Sequence, residues 1–172
     1  MSVINRFSRV IAIVVLLLTI SASTLAGQFS VTRVTDGDTV KVAGNDEKMT
    51  IRLVGIDAPE TSKKKNEPGQ PFSQKSTKHL AGLVLNKSVE IKSYGTDRYG
   101  RTLGVIFVGE KNVNLEMVKA GLAEVYRGRP ANGLDLKPYW DAETEAKKTG
   151  IGMWSLGDKY ISPKEWRRMH RK

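Results

Sequence analysis

Carboxylates and arginines recur in three short stretches of this chain, and their types suit chemistry on a phosphate ester. The stretches are residues 36–40 (DGDTV), residues 51–61 (IRLVGIDAPET) and residues 97–101 (DRYGR). Carboxylate oxygens are preferred ligands of hard cations, and a further carboxylate can orient a water molecule. Arginine side chains hold phosphate oxygens with paired hydrogen bonds. The three stretches therefore contain the residue types that phosphodiester hydrolysis requires.

Asp38 and Asp57 are the candidate metal ligands among these residues. One strand–turn–strand excursion separates them, so a barrel can bring them side by side. Two carboxylates with backbone carbonyls and waters make an oxygen-only site suited to Ca²⁺, whereas Mg²⁺ accepts the same ligands but demands tighter geometry. Asp36 lies in the same turn and could support the site. Asp36-Gly37 alone is also a common hairpin turn, so this pair carries the prediction only with the other stretches.

Glu60 and two arginines are the remaining candidates for chemistry. Glu60 follows a proline that restricts the local backbone, so its carboxylate could be held over an attacking water. Arg52 alternates with apolar neighbours and should point to the opposite face of its strand, although a solvent-facing arginine is the alternative. Arg101 follows a glycine that permits a tight turn. Both arginines are placed to stabilise negative charge on a phosphate.

Composition excludes several other chemistries. The chain has no cysteine, and His79 and His170 are its only histidines, so thiolate metal sites, disulfides and a Ser-His-Asp hydrolase have no basis. The 28 Lys and Arg against 18 Asp and Glu give a formal charge of +10. That balance favours a polyanionic partner, either nucleic acid or an anionic membrane surface.

The first 26 residues read as an export signal. Arg6 and Arg9 precede the apolar run 10–20, and small residues then lead to Ala26. We predict cleavage after Ala26, a mature chain of residues 27–172 and a periplasmic or secreted location. The alternative is an uncleaved anchor, although the apolar run is shorter than the ~20 residues of a spanning helix.

Alternating apolar residues predict five strands that must position these side chains. A helix between the third and fourth strand gives the order of a five-stranded OB-type barrel, within an α+β, mainly β class. The predicted strands are 29–34, 40–42, 49–53, 88–93 and 103–108.

Helical spacing predicts three helices, at 72–85, 114–120 and 138–149, with Asn114 as the N-cap of the second. Residues 61–69 and 128–135 read as loops. The basic segment 164–172 is expected to be a solvated tail, with contact to nucleic acid as the alternative.

The joint occurrence of the three motifs resembles the staphylococcal nuclease family over residues 29–155. The resemblance implies an OB-fold, with Asp38, Asp57 and the Ala58 carbonyl as Ca²⁺ ligands. It implies that Glu60 orients or deprotonates the attacking water. It also implies that Arg52 and Arg101 bind phosphate and stabilise the transition state.

The chain departs from the family's pattern at two places. Ala58 replaces a threonine, which matters little if only the carbonyl is used. Residues 126–129 (YRGR) stand where a pair of tyrosines surrounds the nucleotide in the reference member. Tyr126 could still pack there, and Arg127 or Arg129 could bind phosphate instead.

The motifs together predict an exported, Ca²⁺-dependent endonuclease that acts as a monomer. The resemblance implies DNA and RNA as substrates, little sequence preference and products with 3′-phosphate ends. The alternatives are a non-catalytic OB-fold that binds nucleic acid and a basic envelope protein. Intact Asp38, Asp57, Glu60, Arg52 and Arg101 argue against the binding module.

Overall fold

The computed structural model describes residues 29–44, 47–62, 64 and 67–170. The predicted leader, its cleavage site after Ala26 and the last two residues lie outside the described residues. Within the described part of the chain, no helix is both long and apolar enough to cross a membrane.

A closed five-stranded barrel forms the body of the molecule. Its strands are β1 (Phe29–Asp36), β2 (Thr39–Ala43), β3 (Lys48–Leu53), β5 (Ser88–Thr96) and β6 (Thr102–Val108), with two-residue strands β4 (Ile56–Asp57), β7 (Lys111–Asn112) and β8 (Glu124–Val125). Neighbouring strands of the barrel pair in the order β3-β2-β1-β5-β6, and a parallel pairing between β3 and β6 closes the sheet. The predicted α+β fold of the OB type is therefore confirmed.

The hairpin between β1 and β2 positions the first acidic motif. Asp36 pairs with Thr39 across the turn, and the Asp36 carboxylate accepts a hydrogen bond from the Asp38 N–H at 3.1 Å. Gly37 packs so closely that an added Cβ would clash with the Ser76 hydroxyl and lie 2.7 Å from the Ala58 Cβ. A side chain at residue 37 would therefore push the turn away from the rest of the site.

The three predicted helices are all present, and a fourth follows them. The prediction of a solvated tail at residues 164–172 is wrong, because Pro163–Met169 form an α-helix. A 3₁₀ segment, Gly152–Lys159, connects the last two helices. The α-helices are α1 (Ser73–Val84), α2 (Val113–Lys119), α3 (Lys137–Thr149) and α4 (Pro163–Met169).

Apolar side chains from the barrel and helices share one core. Ile51 and Leu53 of β3 are completely buried, as are Leu80 of α1 and Met117 of α2. Arg52 lies between Ile51 and Leu53 in sequence, so its side chain points to the opposite face of the strand, where it is 15% exposed. The core therefore fixes the face on which Arg52 emerges.

Asn114 has a different role from the predicted one. Asn112 caps α2 by accepting a hydrogen bond from the Leu115 N–H, whereas Asn114 is fully buried. The Asn114 amide donates to the carbonyls of Val54 and Gly104 and accepts from the Ile106 N–H. It therefore satisfies buried backbone groups where β3 and β6 close the barrel.

Candidate active site

Arg52 brings the two predicted metal ligands together. Its Nη2 lies 3.1 Å from Asp38 Oδ2 and 3.2 Å from Asp57 Oδ1, so one nitrogen faces both carboxylates. Its Nη1 donates to the carbonyls of Leu53 and Ile56 at 2.9 and 3.1 Å. Arg52 is thus fixed at the junction of β3 and β4, where it neutralises part of the acidic charge.

Asp38 remains short of positive charge despite this contact. Burial, together with repulsion from Asp36 and Asp57, raises the pKa of its carboxyl to about 7, and the attraction of Arg52 only partly offsets this. The Asp38 carboxylate also accepts hydrogen bonds from the Ala58 N–H and the Thr39 hydroxyl. Acidic charge thus accumulates here beyond what the protein itself compensates.

The donor set suits a hard cation. Asp38 and Asp57 supply carboxylate oxygens at one point, where both face Arg52, and the chain contains no cysteine that could add a thiolate. In the described part of the chain, no group of three or more acidic, histidine or cysteine residues is arranged to hold a metal ion. A cation here would therefore have two carboxylates and complete its shell with carbonyl and water oxygens, as Ca²⁺ and Mg²⁺ do.

Glu60 leaves the barrel just beyond these ligands. Its backbone is clamped by the buried Gln70: the Glu60 N–H donates to the Gln70 side chain at 3.0 Å, and the Gln70 N–H donates to the Glu60 carbonyl at 2.8 Å. Its carboxylate contacts Arg167 of α4 at 2.5 Å. The sequence predicted Glu60 at this site but not the arginine that holds it.

Arg167 also binds Asp57. Its Nη1 donates to Asp57 Oδ1 at 2.9 Å and its Nη2 to Asp57 Oδ2 at 2.7 Å. Hydrogen bonding to Asp57 raises the pKa of Arg167, so the guanidinium stays charged. A segment expected to be a solvated tail therefore places a cation between a candidate ligand and the candidate base.

Arg101 stands apart from this cluster. Among the described residues its hydrogen bonds and ion pair go to Asp97, with Nη2 2.8 Å from Asp97 Oδ2. Arg101 and Arg98 both lie over the ring of Tyr99, which is 69% exposed. The turn between β5 and β6 thus presents an aromatic face and two guanidinium groups to the surface, a combination that suits bases and phosphates.

Known proteins are similar to this chain over most of its length. The family described as staphylococcal nuclease homologue matches residues 50–156. An uncharacterized endonuclease of Haemophilus influenzae is 38% identical over 142 residues, covering 82% of this chain and 73% of its own. A micrococcal nuclease of Shigella flexneri is 35% identical over 149 residues, covering 80% and 79%.

This chain belongs to the staphylococcal nuclease family. The predicted resemblance is confirmed, and the relatives support a nuclease that acts on nucleic acid. Arg52 and Asp57 of the carboxylate cluster lie within the residues that match the family, and Asp38 lies before them.

The segment after β8 holds its arginine in a contact that the sequence did not predict. Arg127 was one of two candidates for binding phosphate. It instead contacts the buried carboxylate of Glu143 at 2.5 Å and lies over the ring of Trp140. Lys147 contacts the same carboxylate at 2.8 Å. Tyr126 remains exposed beside this cluster. Arg127 is therefore occupied in holding α3 against the barrel.

Proposed function

We propose that this family member is a Ca²⁺-dependent endonuclease that hydrolyses DNA and RNA with little sequence preference and leaves 3′-phosphate ends. The observation that carries the proposal is the meeting of Asp38 and Asp57 at one nitrogen of Arg52, with Glu60 beside them. This arrangement concentrates oxygen donors and a base candidate at one point. The nuclease relatives support the same chemistry.

Asp38, Asp57 and the Ala58 carbonyl would hold the cation. When bound, Ca²⁺ would supply positive charge that stabilises the developing charge on phosphate oxygens. Ca²⁺ ranks above Mg²⁺ in this proposal because Ca²⁺ accepts irregular coordination by carboxylate, carbonyl and water oxygens, whereas Mg²⁺ demands a near-ideal octahedron. Asp36 supports the turn through its hydrogen bond from the Asp38 N–H.

Glu60 and the arginines would carry out the steps on the substrate. Glu60 orients a water molecule and accepts its proton as the oxygen attacks phosphorus. The bond between phosphorus and the 5′-oxygen breaks, the 5′-oxygen takes up a proton from solvent water, and the phosphate stays on the 3′ side. Arg101 and Arg52 donate hydrogen bonds to the non-bridging oxygens, whose negative charge increases in the transition state.

The surface around Tyr99 would supply part of the nucleic-acid contact. Its exposed ring lies beside two arginines, so a base could stack while the guanidinium groups bind phosphate. Stacking depends little on base identity, which fits low sequence preference. Phosphate contacts of this kind weaken as salt increases, because counterions are released on binding.

We further propose that the protein acts as a monomer after export, with the leader removed after Ala26. The basis is the sequence pattern of residues 1–26. Intact-mass measurement on protein from the producing cell should give Gly27 as the N-terminus. A full-length species that requires detergent for extraction would instead support a retained anchor.

Incubation with end-labelled single-stranded DNA, duplex DNA and RNA tests the proposed reaction. We expect cleavage in Ca²⁺, much weaker cleavage in Mg²⁺ and none with chelator. Products should accept extension by a polymerase only after phosphatase treatment, because their 3′ ends carry phosphate. Tight binding without cleavage in Ca²⁺ would favour the non-catalytic binding module.

A further inference from the structure

The C-terminal helix α4 places Arg167 across two carboxylates from different parts of the chain. Asp57, on β4, receives both terminal nitrogens of Arg167 at 2.9 and 2.7 Å, and Glu60 receives Nη1 at 2.5 Å. Paired hydrogen bonds from a guanidinium to a carboxylate are among the stronger polar contacts in proteins. Arg167 therefore binds the same acidic group that the proposed reaction uses.

Two hydrogen bonds to the buried side chains of Gln70 and Glu124 fix the segment that leads into α4. The Gln70 side chain donates to the Ile161 carbonyl at 2.7 Å while also accepting from the Glu60 N–H. The Tyr160 hydroxyl donates to Glu124 at 2.6 Å, and Glu124 is the residue that pairs with Asp57 between β8 and β4. The segment is thus anchored on the immediate neighbours of both carboxylates.

The helix itself begins at a defined point. Ser162 caps it by accepting a hydrogen bond from the Glu165 N–H, and the buried Pro163 occupies its first turn. The direction in which α4 presents Arg167 therefore follows from local sequence as well as from the anchors. The fold therefore fixes the contact of Arg167 with Asp57 and Glu60.

Arg167 and a divalent cation would draw on the same oxygen atoms. The side chain of Asp57 is only 2% exposed, and its Oδ1 already accepts from Arg52 as well as from Arg167. A cation approaching these oxygens meets both the occupied lone pairs and the positive charge of the guanidinium. The two cations therefore oppose each other at Asp57.

We propose that Arg167 is a positioning residue of the active site that holds Asp57 and Glu60 together and sets the affinity for the divalent cation by competing for Asp57. This inference rests on the proposed cation site of the nuclease. Thermodynamic linkage makes the competition reciprocal: binding of the cation weakens the attachment of α4 by the same factor. Arg167 thereby couples the C-terminal helix to the metal site.

The test is calorimetric titration of the purified protein with Ca²⁺, with Arg167→Met compared with Arg168→Met. Arg168 is the matched control, because it lies on the same helix, is 76% exposed and pairs only with Glu165 among the described residues. Each substitution removes one positive charge. We expect Arg167→Met to bind Ca²⁺ about tenfold more tightly than the wild type, a typical size for such coupling. Arg168→Met should change the affinity less than twofold.

Arg167→Lys and hydrogen exchange provide a second readout. Lysine keeps the charge but cannot make the paired contact, so its Ca²⁺ affinity should lie between those of the wild type and Arg167→Met. Backbone amides of α4 should exchange faster in the wild type when Ca²⁺ is added. A merely structural arginine would produce neither the tighter binding nor this response.

The outcomes separate this inference from the proposed function. Equal or weaker Ca²⁺ binding by Arg167→Met, relative to Arg168→Met, would overturn the competition while leaving the cation site intact. Absence of Ca²⁺ binding in the wild type and in every variant would overturn the cation site itself, and this inference with it.

Discussion

Two buried carboxylates of this nuclease have opposite electrostatic settings. Glu143 on α3 accepts hydrogen bonds from the Val125 N–H, Arg127 and Lys147. Burial alone would raise its pKa, but these contacts outweigh burial and lower it. Asp38 is also nearly inaccessible to solvent, but there burial outweighs the attraction of Arg52 and raises the pKa of the carboxyl to about 7.

The difference follows from burial and from the charges near each carboxylate. Glu143 has two cations close to it, whereas Asp38 contacts one guanidinium, shares it with Asp57 and is repelled by the carboxylates of Asp36 and Asp57. The protein thus completes the charge balance at Glu143 and leaves it incomplete at Asp38. A structural ion pair needs nothing further, while a cation site must keep acidic charge in reserve.

Asp38→Asn should have the largest effect on activity. Removing one of the two carboxylates takes away both a ligand and half of the reserved charge, so cleavage of labelled DNA should fall by about 10³-fold or more. Circular dichroism and cooperative thermal unfolding should show that the fold is retained. Unchanged cleavage would mean that Asp38 has no part in the site.

Arg101→Ala should have the next largest effect. Because Arg101 lies outside the carboxylate cluster, its removal should leave Ca²⁺ binding unchanged and lower turnover by about 10²-fold. Binding of single-stranded DNA, spread over many basic residues, should weaken only a few-fold. Arg98→Ala is the control on the same turn. If the affinity for single-stranded DNA and the turnover fell by the same factor, Arg101 would contribute to substrate binding in the ground state instead.

The sequence predicted the parts of this account that depend on local pattern. Alternation predicted the barrel strands, and the spacing of the motifs predicted that the barrel brings Asp38 and Asp57 side by side, where both contact Arg52. Arg167 escaped prediction because α4 is short and its partners lie more than a hundred residues earlier. Nothing in a basic terminal segment distinguishes a folded helix from a solvated tail.

Arg127 and Glu143 show a second limit of sequence reasoning. An arginine near the expected nucleotide position was a reasonable phosphate ligand, but the partner that occupies it lies on α3, 16 residues away in sequence. Helical periodicity placed apolar residues of α3 on a buried face. It gave no reason to expect a buried glutamate among them.

Glu143→Gln should lower stability and spare chemistry. The neutral amide keeps the shape of the side chain but loses the charge that Arg127 and Lys147 compensate. The free energy of unfolding measured in urea titrations should therefore fall by about 1–3 kcal/mol. Both cations are partly exposed, which keeps the effect below that of a fully buried pair. Turnover per folded molecule should match the wild type. Lys148→Gln, on the same helix, should leave stability almost unchanged.

The smallest expected effect is the loss of folding stability when Glu143 is protonated at acidic pH. Because folding lowers the pKa of Glu143, its contribution is present above the unfolded value of about 4.5 and is lost as pH falls below it. Chemical denaturation between pH 6 and about 3 should therefore show a shallower loss of stability in Glu143→Gln than in the wild type. If the free energy of unfolding changed with pH in the same way in both proteins, Arg127 and Lys147 would not lower the pKa of Glu143.

Thermal unfolding with and without Ca²⁺ tests the central contrast most directly. A ligand that binds only the folded state stabilises it by about 2.7 kcal/mol at a hundred times its Kd. We predict a Ca²⁺-dependent rise in Tm for the wild type and for Glu143→Gln, although the latter starts lower, and no rise for Asp57→Asn. A rise that persists undiminished in Asp57→Asn would contradict the assignment of the cation site.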